Sequence, residues 1–441
     1  MTLTELPRVY RGRRGDISAL NPDLARLRRA SSWQATEAAS GRRSRYLDLL
    51  RIAGTFSIVA YHVGMPYSSS AWIAVDMFFV LAGMNMARVL NGDQSICSYA
   101  VSRVERLGPQ VLVIWCVAVV FVLAGSGSPG LRWFITGGPV FLFNLAQPFF
   151  EYTFPRDWVF GPLWFVAALM QLQLLVFASR KLVLRARPDI LLVAALGIAI
   201  SFRTLVAVLV AQNPASLTPR EAGLVYVLPL THLEAVILGL LIARGALPRI
   251  SRLLPLFGVV AICLVAINVA RSPGEVREAI KTALGLNFNY PLGLHYAHIW
   301  GYSVLAFAAA SLASPTGRLA VAAEKLPLPG WTDNALVALA SLTYSVYAFQ
   351  GFFLATNLNA GSILTRPHAP GLRLFLFAIT TVEAFLLAWV FQRIVERLKQ
   401  LQWLRVSGRG AAQGRKRERP KPFSPRAGEN GSSLEGQLAS R

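Results

Sequence analysis

The sequence predicts an all-α polytopic membrane protein with about ten transmembrane helices and both termini in the cytoplasm. Its 441 residues are 54% hydrophobic and only 15% charged. The mean hydropathy of +0.47 is too high for a soluble chain of this length. The apolar residues also form runs of about 20 residues, which is the length that crosses a bilayer as a helix.

Much of the net charge of +22 lies in the two terminal segments. Met1–Tyr46 contributes +6 and Arg393–Arg441 contributes +8. Basic segments beside membrane spans are typical of the cytoplasmic face, so this charge favours a membrane protein with no nucleic-acid partner. We therefore predict a basic, mostly disordered cytoplasmic arm over residues 1–45, a transmembrane domain over residues 46–395, and a basic disordered tail over residues 396–441.

Ten apolar runs are long enough to span the bilayer. In chain order they are Leu47–Met65, Ala71–Leu90, Gly108–Gly125, Val159–Ala178, Asp189–Gln212, Val225–Ala243, Leu253–Ala270, Leu292–Ala313, Ala335–Asn357 and Arg373–Phe391. With both termini inside, the inner loops carry twelve Lys or Arg residues and the outer loops carry seven. This bias agrees with the positive-inside rule. The partly apolar segment Arg132–Asp157 leaves an eleventh span open.

The first two runs contain ionisable residues where a lipid-facing helix would have none: Asp48, Arg51, His62 and Asp76. Ionisable groups inside a membrane are costly and indicate a functional site. Arg51 and His62 are eleven residues apart, which places them on one helix face about 17 Å apart along the axis. The chain reverses near residues 66–70, so we expect Asp76 beside His62, where it would orient the imidazole as a general base.

Each of these residues also has a structural interpretation. Asp48 and Arg51 could form an ordinary i, i+3 pair at the membrane surface. His62 could be a packed, hydrogen-bonded histidine, and Asp76 could cap the second helix or bond to a neighbouring helix.

Other polar residues of the apolar runs carry weaker signals. His232, Glu234 and Glu383 lie in later runs, without a spacing that assigns a role. His295 and His298 are one turn apart, but no carboxylate ligand follows at a useful spacing, so we predict no metal site. The three cysteines are isolated and form no disulfide framework.

Several motifs resemble acyltransferase family 3, a family of integral-membrane O-acyltransferases. The family pattern opens with an Arg, ten residues and a His on the first span, and Arg51 and His62 match it within LDLLRIAGTFSIVAYH. The segment AVDMFFVLAG resembles G-V-D-x-F-F-V-x-S-G, with Asp76 in place and Ala82 where serine is usual. The resemblance covers Arg45 to Arg397 and would make the transmembrane domain acyltransferase-like.

Further motifs follow in the order of the family. SRVERLGP matches R-x-x-R-x-x-P at Arg103, Arg106 and Pro109. PLWFVAAL, HLEAVILGLLIA and SLTYSVYAFQ resemble three later segments, and Gln350 stands where the last of them has a histidine in the family. The glutamate often found after the Trp of the family's L-W-S-L segment is absent.

The resemblance implies transfer of a short acyl group, commonly acetyl, from cytoplasmic acyl-CoA to a hydroxyl of a glycan, glycolipid or other acceptor. His62 would be the general base, with Arg51 and Asp76 as further catalytic residues. Arg103 and Arg106 would bind the coenzyme A phosphates, whereas without the resemblance the positive-inside rule is the favoured explanation of this pair. Acyl-CoA would be a co-substrate, and no permanently bound cofactor is expected.

The expected partners are the lipid bilayer, acyl-CoA and a sugar or lipid-linked hydroxyl acceptor, and the expected location is the bacterial inner membrane. One alternative is a transporter or flippase in which buried His and Asp residues relay protons. Another is a non-catalytic relative of the family, because Ala82 and Gln350 depart from the residues that are usual in its motifs.

Overall fold

The computed structural model describes residues 44–65, 71, 73–124, 132, 135–138, 141–142, 144, 163–210, 225–246, 297–315, 317–364 and 370–417. All regular elements in these ranges are helices, which confirms the all-α prediction for this part of the chain. The chain divides into two compact units, Met1–Trp389 and Val390–Arg441, and the candidate site lies in the first.

Eleven α-helices are described. They are α1 (Arg45–Val63), α2 (Ile73–Leu90), α3 (Ile96–Leu123), α4 (Trp164–Ala178), α5 (Arg180–Arg185), α6 (Pro188–Val210), α7 (Leu233–Ala243), α8 (Ala297–Ala313), α9 (Arg318–Lys325), α10 (Gly330–Leu364) and α11 (Pro370–Arg417). A short 3₁₀ helix over Pro229–His232 precedes α7 directly. The last helix continues past residue 395, where the transmembrane domain was predicted to end.

Four helices of the described ranges are long and apolar enough to cross a bilayer: Pro188–Leu209, Gly301–Lys325, Gly330–Leu354 and Gly371–Leu401. Trp164–Ala178 and Pro229–Ala243 are shorter apolar helices. Nine of the ten predicted spans contain a described helix, and the other, Leu253–Ala270, lies outside the described residues. The number of spans and the side of the termini stay predictions.

Local sequence signals set the ends of α1. The Ser44 side chain accepts a hydrogen bond from the backbone N–H of Leu47, which caps the start of the helix. At the other end Gly64 has a φ of 71°, a left-handed conformation that glycine adopts without steric cost. The Gly64 N–H bonds back to the carbonyls of the last turn, so the chain leaves the helix directly after His62 and Val63.

Contacts at the helix ends define two ends of the first unit. Arg45 at the start of α1 pairs with Asp333 at the start of α10 through a 2.7 Å contact, so both helices begin at the same end. The short connection after α1 makes α2 antiparallel to it, which returns the chain to that end before α3. There the Arg180 Nη1 donates to the Gln94 carbonyl at 2.5 Å, and Arg244 donates to two carbonyls of α5 at 3.0 Å.

We call this the arginine end, defined by Arg45, Arg180 and Arg244. The opposite end holds the last turn of α1 and the 3₁₀ helix, and we call it the histidine end, defined by His62 and His232. Gathering cationic side chains at one end of a helical bundle is the pattern that membrane insertion selects.

A close crossing of two helices lies between these ends. A Cβ atom added at Gly83 of α2 would overlap the backbone carbonyl of Val236 in α7, and one added at Gly239 of α7 would overlap the carbonyl of Val80. Only glycine permits this approach of the two backbones, as in many membrane helix pairs. The crossing fixes which face of α2 is turned toward α7.

This crossing predicts a large effect of a small substitution. We expect Gly83→Ala to lower the free energy of unfolding by more than about 2 kcal/mol, because the added methyl meets rigid backbone rather than a movable side chain. Thermal unfolding in detergent micelles measures the change. Gly197→Ala in α6 is the matched control, since nothing lies within 4 Å of its added Cβ. It should leave stability unchanged or raise it by up to about 1 kcal/mol. Equal stabilities of the two variants would contradict the close crossing.

Candidate functional site

Helix α1 carries Arg51 and His62 on one unbroken helix, which is the arrangement that their spacing predicts. Arg51 Nη1 lies 2.5 Å from the Asp48 Oδ1, and the Asp48 side chain is only 1% exposed. The i, i+3 pair that the sequence left open is therefore formed. It holds the guanidinium toward the arginine end, while His62 lies in the last turn at the histidine end.

The Asp76 carboxylate contacts an imidazole, but not the expected one. Its Oδ1 lies 2.9 Å from Nδ1 of His232, and the other ring nitrogen of His232 lies 2.7 Å from the backbone carbonyl of Tyr226. Asp76 and His232 are 1% and 0% exposed. The prediction that Asp76 pairs with His62 is therefore wrong, although both residues lie toward the histidine end.

The faces of α2 explain this difference. Gly54 of α1 lies against the side chains of Met77 and Phe78, which are therefore the residues of α2 that face α1. Asp76 and Gly83 are seven residues apart and share the opposite face, which the glycine crossing turns toward α7. A carboxylate on that face meets the residue just before α7, which is His232. The position of Asp76 along α2 could be predicted from the sequence, whereas the rotation of α2 about its axis depends on the crossing of α2 and α7.

Both ring nitrogens of His232 are engaged within the protein. One contacts the Asp76 carboxylate and the other contacts the Tyr226 carbonyl, and the side chain is fully buried. A ring with no nitrogen left for a substrate is poorly placed to act as a general base. His232 therefore fits a positioning partner of Asp76.

Aromatic rings enclose the imidazole of His232. Phe79 stacks on it at 4.5 Å with an interplanar angle of 18°, and Tyr226 meets it edge-on at 4.9 Å. Trp164 and Tyr302 lie at 5.8 and 6.3 Å between ring centroids. We call these four rings the aromatic cluster.

Tyr61 links the aromatic cluster to α1. It packs against a group of buried side chains that includes Tyr302, and Tyr226 packs against the same group. The Tyr61 ring centroid also lies 5.2 Å from that of His62. The end of α1 that carries His62 thus lies beside the aromatic cluster, within a largely apolar surrounding.

A second buried charge pair lies next to the aromatic cluster. Arg203 of α6 is 1% exposed and pairs through Nη2 with Oε1 of Glu234, which is 0% exposed. The same guanidinium donates through Nη1 to Ser303 Oγ at 2.9 Å and through Nη2 to the Thr231 carbonyl, and it lies 5.4 Å from the Tyr302 ring. Ser303 Oγ in turn donates to Glu234 at 3.0 Å.

Sequence reasoning missed Arg203. The available signal was its position inside the apolar run of α6, where an arginine needs an anionic partner. The spacing of Glu234 in the sequence assigns it no role, because its partner Arg203 lies 31 residues earlier on another helix.

The arginine end holds Arg103 and Arg106 on α3. The Arg103 guanidinium lies 5.0 Å from the Tyr99 ring centroid, and Tyr99 stacks on Phe177 at 4.2 Å with an interplanar angle of 9°. Arg180 covers Phe177 at 4.9 Å. Within the described part of the chain the Nε of Arg103 has no hydrogen-bond partner, and Arg106 is exposed one turn further on. Two guanidinium groups on one helix face suit the oxygens of a phosphate.

The described residues contain no group of three or more His, Cys, Asp or Glu side chains that could hold a metal ion. The prediction about His295 and His298 lies outside what the structure describes, because His295 and the side chain of His298 are not among the described atoms.

Comparison with known proteins identifies the family of the chain. The model of the acyltransferase 3 family, described as an acyltransferase domain, matches residues 44–393. A peptidoglycan O-acetyltransferase, OatA of Listeria monocytogenes, is 30% identical over 81 residues. This stretch is 17% of the present chain and 13% of the length of OatA. No solved structure matches the chain significantly. Because the family model covers most of the chain, the protein belongs to the acyltransferase 3 family.

Proposed function

We propose that this protein is a multi-pass O-acyltransferase of the bacterial inner membrane that transfers a short acyl group, commonly acetyl, from acyl-CoA to a hydroxyl of a glycan or lipid-linked acceptor. The observation that carries the proposal is the single helix α1, which extends from the arginine end to the histidine end and carries Arg51 and His62. The arginine end suits the phosphates of the acyl donor, and the histidine end suits a hydroxyl acceptor.

The donor would bind at the arginine end, on the cytoplasmic side. Arg103 and Arg106 would hold the coenzyme A phosphates, and the pantetheine arm would extend along α1 toward His62. The distance from Arg51 to His62 along the helix, about 17 Å, is within the reach of such an extended arm. Arg51 lies on this path and is held by Asp48, so it would contact the arm or the thioester oxygen.

The reaction would take place at the histidine end. His62 would accept the proton of the acceptor hydroxyl while the oxygen attacks the thioester carbonyl. A C–O bond forms and the C–S bond breaks, and the proton passes from His62 to the departing coenzyme A thiolate. Asp76 would act as a positioning residue, since its pair with His232 holds α2 and the aromatic cluster beside the end of α1.

The short similarity to a peptidoglycan O-acetyltransferase supports a cell-envelope glycan as the acceptor. Rings such as those of the aromatic cluster offer apolar faces on which sugars can stack, with polar partners at the edges.

Replacement of the two arginines tests the donor side. We expect the double variant Arg103→Gln, Arg106→Gln to raise the KM for acetyl-CoA by about 100-fold, because each lost charge-assisted contact costs about tenfold. Purified protein with radiolabelled acetyl-CoA provides the measurement. Arg187→Gln is the matched control, since Arg187 is exposed and its described contact is with Asp189 on the surface. An unchanged KM in the double variant would contradict the donor site.

A flux measurement beside the transfer assay distinguishes acyl transfer from the transporter alternative. Proton or solute flux in proteoliposomes without any acyl turnover by the wild-type protein would favour transport over acyl transfer.

A further inference from the structure

Gln350 is a fully buried amide of α10 that the packing of the protein leaves unsatisfied. Its exposed fraction is 0%. Neither its Oε1 nor its Nε2 has a hydrogen-bond partner anywhere in the described part of the chain. Buried polar groups are nearly always paired, because an unpaired one loses its hydration without compensation. A side chain with both donor and acceptor unsatisfied therefore indicates a partner that binds there.

The helix face that carries Gln350 and Leu354 is packed against α1. Leu354 lies one turn further along α10 and packs against Val59 and Val63 of α1. His62 lies between these two valines in sequence and shares their helix face. Gln350 and His62 therefore lie on facing sides of two adjacent helices, each within about one turn of the same contact.

The same face of α10 carries an aromatic ring one turn before Gln350. Tyr347 lies one turn before Gln350, and its ring centroid is 4.9 Å from that of Phe165 and 6.4 Å from that of Phe78. Tyr347 is itself 3% exposed. The Gln350 amide is thus the polar group of an apolar surrounding, close to the residue that would take the acceptor proton.

We propose that Gln350 contacts the substrate and binds a group that offers both a hydrogen-bond donor and a hydrogen-bond acceptor. This inference rests on the proposed acyl transfer. Two groups of that reaction have this chemistry: the pantetheine arm of acyl-CoA, through its amide groups, and the hydroxyl of the acceptor. Each offers a donor for the oxygen and an acceptor for the nitrogen of the Gln350 amide.

The variant Gln350→Met tests the contact, because methionine keeps the length of the side chain and removes both polar atoms. We expect the thermal unfolding midpoint without ligand to stay the same or rise, since no internal hydrogen bond is lost. Acyl transfer should fall about tenfold, the effect of one lost hydrogen-bonding group in a complex. Gln350→His should restore transfer, because a neutral imidazole offers one donor and one acceptor.

Two measurements identify the bound group. One is the Kd of acetyl-CoA for purified protein in nanodiscs, and the other is the amount of base-labile O-acetyl groups on the envelope glycans of cells that produce each variant. A Kd weakened about tenfold assigns the contact to the pantetheine amide. An unchanged Kd with about tenfold fewer O-acetyl groups assigns it to the acceptor hydroxyl.

Gln171→Met is the matched control. Gln171 is a glutamine of α4 whose amide is satisfied within the protein, by the Asn144 side chain and the Phe141 carbonyl. The same substitution there should leave both measurements within about twofold of wild type. If Gln350→Met also stays within this range while the wild-type protein is active, the contact is disproved. A wild-type protein that neither binds acetyl-CoA nor acylates glycans would instead overturn the proposed function itself, and with it any substrate role of Gln350.

Discussion

His62→Ala should reduce acyl transfer at least about 100-fold while the protein stays folded, because a general base contributes about 10² to 10⁴ to the rate of such a step. The change removes the imidazole from the last turn of α1 and leaves the cap at Gly64 intact. Measurement of kcat with labelled acetyl-CoA, beside the Kd of acetyl-CoA for the same variant, shows whether the loss lies in chemistry or in donor binding. We expect the loss in kcat alone.

A control on the same helix separates this effect from a disturbance of α1. Phe56 is 36% exposed, and its ring lies 5.6 Å from that of Phe385. Phe56→Leu changes packing on the outer side of α1 and should leave kcat within about twofold of wild type. Transfer by His62→Ala at more than a tenth of the wild-type rate would rule out His62 as the base.

Arg203→Leu should be among the most destabilising single substitutions in this protein. It would leave Glu234, which is 0% exposed, as a buried carboxylate without its cationic partner. Removal of one member of a buried ion pair costs about 3–5 kcal/mol, and the loss of the bonds to Ser303 and Thr231 adds to it. The free energy of unfolding by SDS titration in mixed micelles measures the effect.

The double variant Arg203→Met, Glu234→Leu tests whether the unpaired carboxylate of Glu234 causes this loss of stability. Because both charges are absent, we expect a stability within about 1 kcal/mol of wild type, or higher. Thr204→Val is the matched control, since Thr204 is exposed on the same helix and bonds only to the carbonyl of Ile200 among the described contacts. A single variant that loses less than about 1 kcal/mol would contradict the expected cost of leaving Glu234 buried and unpaired.

Helix positions and the ionisable residues of α1 could be predicted from the sequence, for a local reason. Apolar runs of about 20 residues and the spacing of Arg51 and His62 depend only on helix geometry. The structure has helices within nine of the ten predicted runs, and both residues on one of them. The order of the family motifs is likewise a property of the linear chain, and the family that they indicated is confirmed by the family match over residues 44–393.

Contacts between helices distant in sequence could not be predicted, because they depend on how each helix is rotated about its axis. Asp76 was expected beside His62, yet the close approach of Gly83 and Gly239 turns it toward His232. The partner of Glu234 is an arginine that no local motif marks.

The sequence alone thus determined that this chain is helical, that it belongs to the acyltransferase 3 family and that Arg51 and His62 lie on one helix, since periodicity and motif order are local properties. Tertiary structure decided which buried charges are paired and that the Gln350 amide has no internal partner in the described part of the chain. The physical reason is that membrane helices are apolar on most faces, so their rotation is set by small-residue crossings and by the pairing of a few buried polar groups.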